Sequence, residues 1–242
     1  MRIKRTSRNR RNDDENDEGE LNFDQEGLAL EDPAFKLAPV GLFAVSVNCH
    51  HRAESSKGPG PLTPTYSLPS LAELCGEETF ADVALAWHQR GFYASVSVEK
   101  EAEKCFYPEL RTGDSVEFFI DTRDSKASGF NNRFCHHFYF LPKEVNGHSC
   151  GEITRFRTED VHEWCDSNEL KNTIHLYKNT YRLDIFIPAH CLHGYDPEQF
   201  DRIGFTYRIN RPGDDPQHFA VSSNDYAIDQ QPSLWASVRL VK

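Results

Sequence analysis

Apolar and polar residues alternate in short runs over most of this chain. Residues 83–87 (VALAW), 92–98 (FYASVSV), 115–121 (SVEFFID), 133–141 (RFCHHFYFL), 181–187 (YRLDIFI) and 203–210 (IGFTYRIN) place an apolar or ring side chain at every second position. Period two marks a strand with one buried face. Shorter runs at 42–47, 153–157, 174–178 and 235–241 read as further strands. Gly, Asp, Asn and Pro separate the runs, and His88-Gln89-Arg90-Gly91 reads as a hairpin turn with Gly91 at positive φ. Helical windows are few: one turn in 70–76, one after Pro188, and a short helix in 158–171. Four prolines in 58–69 mark a long surface connection. The pattern predicts an all-β fold, an antiparallel, jelly-roll-like β-sandwich with a few short helices.

The alternation sorts side chains onto two faces. Leu85, Trp87, Phe92, Val96, Phe118, Ile120, Phe138, Phe140, Leu183, Ile185, Phe205 and Ile209 share the core register, and His136 falls among them. The other register carries Tyr93, Glu117, His137, Tyr139, Arg208 and Asn210. Tyrosine rings can stack on the C–H faces of a sugar while carboxylate, guanidinium and amide groups bond its hydroxyls. These six are therefore the candidate ligand-binding residues. The competing reading is a charge-paired sheet face shown to water.

Charge and cysteine usage narrow the classes. A net charge of −11 argues against a general nucleic-acid binder, which needs a basic footprint. No run of 18 apolar residues offers a membrane span. Residues 1–12 carry six basic side chains and residues 13–20 six acidic ones, without an apolar period. We expect a disordered charged tail over 1–32, able to contact a protein partner, and one sandwich domain over 33–242. Seven cysteines form an odd set without a CxxC pair, and no signal peptide is visible. That fits reduced thiols in a cytoplasm.

The order of motifs resembles the family 9 carbohydrate-binding modules and the related DOMON-like sandwiches. A strand ending in Trp87 precedes a tight turn and FYASVSV; GDSVEFFIDTRD, YRLDIFIPAHCL and DRIGFTYRINR follow, with Trp235 near the end. Tyr181 stands where that family often has Trp, and Asp184 where it often has Glu. The resemblance covers roughly residues 80–242 and marks strand positions more than ligand contacts. It implies a sandwich of carbohydrate-binding-module type and a non-catalytic sugar-binding module, with carbohydrate as partner and no cofactor.

Two other functional classes stay open. One is an intracellular protein-interaction or scaffold sandwich. The other is a Cys/His metal protein or bis-His haem protein. Cys135 and His137 share a strand face, and His190 and His193 could share a helical face, so these four are the metal candidates. The one methionine is Met1, which argues against a Met-ligated haem. No GxSxG, HExxH, P-loop or GxGxxG motif points to catalysis. Glu117 and Asp121 would stand ~13 Å apart along one strand, beyond the ~5–9.5 Å of glycosidase carboxylate pairs. Of the tryptophans, Trp87 and Trp235 fit the core, and Trp164 fits an exposed binding loop.

Overall fold

The structure is a computed structural model that describes residues 45–53 and 60–242. The tail expected at 1–32, its partner contact and the start of the strand expected at 42–47 lie outside the described residues. The fold is all-β. The strands are β1 (Ser46–His51), β2 (Ala81–His88), β3 (Gly91–Val98), β4 (Ser115–Asp121), β5 (Cys135–Val145), β6 (His148–Glu152), β7 (Lys171–Leu176), β8 (Tyr181–Pro188), β9 (Arg202–Asn210), β10 (Gln217–His218) and β11 (Ala236–Val241). Helical content among the described residues is confined to 3-10 turns, including Ala72–Cys75 and Ala189–Cys191. No helix forms in 158–171. No helix of the described residues is long and apolar enough to cross a membrane.

The strands hydrogen-bond in the order β6-β5-β4-β9-β11-β1-β2-β3-β8-β7, with β10 on β9. Among the described residues all ladders are antiparallel except two: β1 runs parallel to both β11 and β2. Parallel neighbours need a long crossover. The proline-containing stretch before β2 supplies it, and on the way Leu68 N–H donates to Val83 O at 2.8 Å.

The sheet folds over so that its two halves share one core. Phe92 of β3 meets Phe205 of β9 at 6.1 Å between ring centroids, and Phe205 meets Phe118 of β4 at 5.5 Å. Leu85, Val96, Phe118, Phe140, Leu183, Ile187 and Phe205 are all buried, as their register predicts. The two ends of the strand order approach each other. Asn172 on β7 donates through Nδ2 to Leu141 O on β5 at 3.1 Å and to Ser149 O on β6 at 3.2 Å. One side chain thus fastens the open seam.

Gly91 opens β3 at φ 149°, and a Cβ there would stand 2.3 Å from the Ile187 carbonyl oxygen. The hairpin turn requires glycine at this point because β8 passes so close.

Candidate functional site

The register of β4, β5 and β9 gathers the polar residues. Glu117 faces Tyr139 on one side and Arg208 on the other, Phe119 faces His137, and Ser115 faces Asn210. Five of the six sequence candidates therefore share one outer face. Tyr93 does not join them. It lies on β3, on the outer face of the other half, where its ring packs on Phe186 at 4.5 Å and lies under Arg52. Period two places a residue on a face but cannot tell which half of a folded-over sheet that face belongs to.

This outer face is not open to water. Glu117, His137, Tyr139, Arg208 and Asn210 are all buried. Loops cover them: Tyr107 packs on Tyr139 at 5.2 Å, and Trp235 meets Phe119 at 6.0 Å. A gap in the cover leaves a recess of 420 Å³. Glu117, His137 and Arg208 line it together with Pro108, Leu110, Arg111, Ile153, Arg155 and Asp229. Asn131 ties two of these walls together, donating through Nδ2 to Arg155 O and Asp229 O at 3.0 and 2.8 Å.

The recess has a tightly bonded floor. Arg208 donates from Nε to Glu117 Oε1 and from Nη2 to Glu117 Oε2, both at 2.8 Å. Asn210 Nδ2 adds a bond to Oε1 at 2.7 Å, and His137 Nε2 one to Oε2 at 2.8 Å. Burial alone would raise the Glu117 pKa, but the His137 bond and the Arg208 charge outweigh it and hold the carboxyl well below its usual range. The Arg208 guanidinium lies over the Phe119 ring. Tyr139 sits at the margin, its hydroxyl 3.4 Å from His148 Nδ1. The close approach of Gly151, where a Cβ would be 2.9 Å from its ring, leaves it room.

A second recess of 480 Å³ opens beside β8 and the segment 162–169, lined by His136, His162, Trp164, Cys165, Glu169, His190, Cys191 and His193 among others. Behind it, buried Glu152 accepts through Oε1 from His136 Nδ1 (2.9 Å), His162 Nε2 (2.7 Å) and Thr154 Oγ1 (2.6 Å). Its Oε2 accepts the Cys165 N–H at 2.9 Å. Burial works against the ionised carboxyl, yet the two histidine bonds bring its pKa down to about 2. Burial also lowers the His136 pKa. Trp164 is exposed and Trp87 and Trp235 are buried, as expected from the sequence.

The four metal candidates do not form one set. Cys135 faces Asn132, and His137 is held by Glu117. His190 and His193 both reach the second recess, where His193 stacks parallel to His162 at 5.8 Å. Cys165 and Cys191 are joined in a disulfide, so not all the thiols are free. Neither this pairing nor the wall residues Arg111 and Arg155 could be read from spacing, because contacts between distant loops leave no local period. The one sequence signal was the polar segment around Trp164, read as an exposed binding loop.

No protein-family model and no curated protein matches the chain. Solved structures do. A family 9 carbohydrate-binding module from Caldicellulosiruptor kristjanssonii in complex with cellotriose superposes with a TM-score of 0.57 at 15% identity, over 81% of this chain and 93% of that one. The same organism's family 9 module in complex with glucose gives 0.55 at 15% identity, over 81% and 95%. A putative carbohydrate-binding protein from Bacteroides uniformis gives 0.53 at 9% identity, over 82% and 100%. The chain has the fold of the family 9 modules, as the motif order implied.

Proposed function

We propose that this chain is a non-catalytic carbohydrate-binding module and that the recess above Glu117, His137 and Arg208 receives a sugar end. The observation that carries the reading is the floor itself. Three charged or ionisable side chains from three adjacent strands are buried, mutually bonded and fixed beneath an opening. Such a site is organised before any ligand arrives, so binding costs little ordering of the protein. Pro108, Leu110 and Ile153 offer apolar surface, and Arg111 and Arg155 stand at the wall as donors. Among the described residues Arg155 has no side-chain hydrogen bond or ion pair. The fold shared with modules solved in complex with glucose and cellotriose supports the same reading.

A non-catalytic role fits the chemistry of Glu117. It is committed to four hydrogen bonds and its depressed pKa leaves it no proton to give a leaving group. Arg208 is tied up as well, with Nε and Nη2 both spent on Glu117. Its role is to hold the floor, and the wall arginines are the better probes of binding. Calorimetric titration with glucose, cellotriose and uncapped oligosaccharides of other linkages tests the proposal. Binding that weakens roughly tenfold or more in Arg155→Ala and Arg111→Ala, with the melting curve unchanged, is the expected result. Absence of heat at millimolar ligand across the panel would remove it.

A further inference from the structure

Four side chains with metal-binding atoms line the second recess, three of them with those atoms in mutual reach and the fourth, His190, bonded to one of the three. Glu169 Oε2 accepts from His190 Nε2 and lies 3.6 Å from Cys191 Sγ. The ligand atoms of Cys165, Glu169 and Cys191 all lie within 4.8 Å of one another. Three separately anchored segments supply them. Cys165 is fixed by its N–H on Glu152, and its neighbour Trp164 by an indole bond to Thr154 O at 3.1 Å. His190 and Cys191 sit in the turn Ala189–Cys191 at the end of β8, which is pinned by the Ala189 N–H on Arg90 O at 2.8 Å. Glu169 closes a tight turn, its N–H on Asp166 O at 3.0 Å. Cys191 is buried and Glu169 exposed, so the group lies at a mouth that an ion can enter from water.

We propose that the reduced protein binds a thiophilic divalent cation of the zinc type through Cys165, Glu169, His190 and Cys191, and that the disulfide is the metal-free alternative of the same site. Two thiolates, one imidazole and one carboxylate make a four-ligand set suited to a borderline-soft ion in tetrahedral geometry. The two sulfurs of such a site stand about 3.8 Å apart, given Zn–S bonds of about 2.3 Å. Reaching that spacing from the bonded pair takes a small movement of side chains whose backbones are already held. The redox step balances with a dithiol as reductant: the S–S bond breaks, two thiols form, and the dithiol leaves as its own disulfide. Cation binding then releases the two thiol protons, and the neutral His190 ring moves its proton from Nε2 to Nδ1, which frees the Nε2 lone pair as a ligand. The site is separate from the proposed sugar recess, and neither reading depends on the other.

The test is a cobalt(II) titration of the full chain, once as isolated in the oxidised state and once after dithiol reduction and removal of excess reductant under argon. Cobalt reports thiolate ligands by near-ultraviolet charge transfer and tetrahedral geometry by strong visible bands. The expected result is a single-equivalent signal in the reduced protein, none in the oxidised protein, and displacement by zinc. Reduced Cys165→Ser and Cys191→Ser should each bind at least about tenfold more weakly, since even outer-shell partners are worth that much. Cys105→Ser, at a thiol that does not line this recess, should bind like the wild type. If both serine variants fail to fold, Glu169→Gln and His190→Ala carry the comparison, with the same loss expected. The proposal is overturned if reduced wild type gives no thiolate signal, or gives the same signal when oxidised. It is equally overturned if the ligand variants bind unchanged. Loss of the native near-ultraviolet circular dichroism on reduction, not restored by cation, also overturns it.

Discussion

Arg208 and Glu117 face each other directly across the β9–β4 ladder and form two parallel bonds of 2.8 Å, with both side chains almost wholly shielded from solvent. Two buried charges so placed stand or fall together. Removing one leaves the other without a partner in a poorly solvated place. Arg208→Ala should therefore cost about 3–5 kcal/mol, and Glu117→Ala a similar amount. The double change Glu117→Leu with Arg208→Met should cost less than either single one. Urea unfolding of the three variants checks this. Single changes worth under ~1 kcal/mol would show a pair that contributes only surface charge. From the alternation alone, Glu117 reads as a solvent-facing residue that could be lost cheaply; the covering loops reverse that expectation.

Acid should weaken the fold through Glu152 and Glu117 together. Both carboxyls titrate below their ordinary value in the folded state, Glu152 at about 2 against 4.5. Between those pH values the unfolded chain binds more protons than the folded one. The stabilisation is therefore complete above about pH 4.5 and is lost as pH falls toward about 2. Urea midpoints at about pH 6 and about pH 3 should drop for the wild type and drop less for Glu152→Gln. An equal acid loss in the variant would assign the effect elsewhere.

Gly91→Ala should destabilise by about 2 kcal/mol or more, because its Cβ would press on the Ile187 backbone oxygen, which cannot rotate away. Gly129→Ala, with nothing within 4 Å of the added atom, should stay within about 0.5 kcal/mol of the wild type. Thermal melts of the two variants side by side give the comparison. Equal melting temperatures would mean that β8 can shift to admit the methyl group.

Asn172→Ala should open the seam between the first and last strands of the sheet order. It removes two side-chain bonds to Leu141 O and Ser149 O, at a cost of about 1–2 kcal/mol. The amides of Lys171–Leu176 should then exchange hydrogen faster than those of β3. Unchanged exchange in β7 would show that the β8 ladder alone holds it.

Much of this fold was legible because strong alternation and burial coincide. The 115–121 run is β4 to the residue, and the runs at 92–98, 181–187 and 203–210 fall within β3, β8 and β9. The errors have physical causes. The 153–157 run looked like a strand, but the strand is His148–Glu152, a stretch with two small residues that the β5 edge recruits through hydrogen bonds. The face carrying Glu117 and Arg208 was legible as a polar register; its burial was not, because residues 105–112 and 219–235 cover it with loop segments that carry no strand period of their own. Tyr93 shares the period but not the half of the sheet. Cys165 and Cys191 meet only because the segment after β6 folds back onto the end of β8.

Seen as a process in time, the position of β1 sets an order of assembly. The two leaves of the sheet are each built from antiparallel neighbours, and among the described residues the backbone ladder between them runs through β1. On a ribosome β1 is made before all the other described strands, while β11, its partner along Ser46–His50, is made after them. Until Ala236–Val241 emerges, β1 must wait with one edge unpaired, and each leaf can form only as a separate piece. Closure of this ladder thus waits for β11, a pairing of the kind that slows folding. The interval before it closes is when the chain most needs shielding from other unpaired edges.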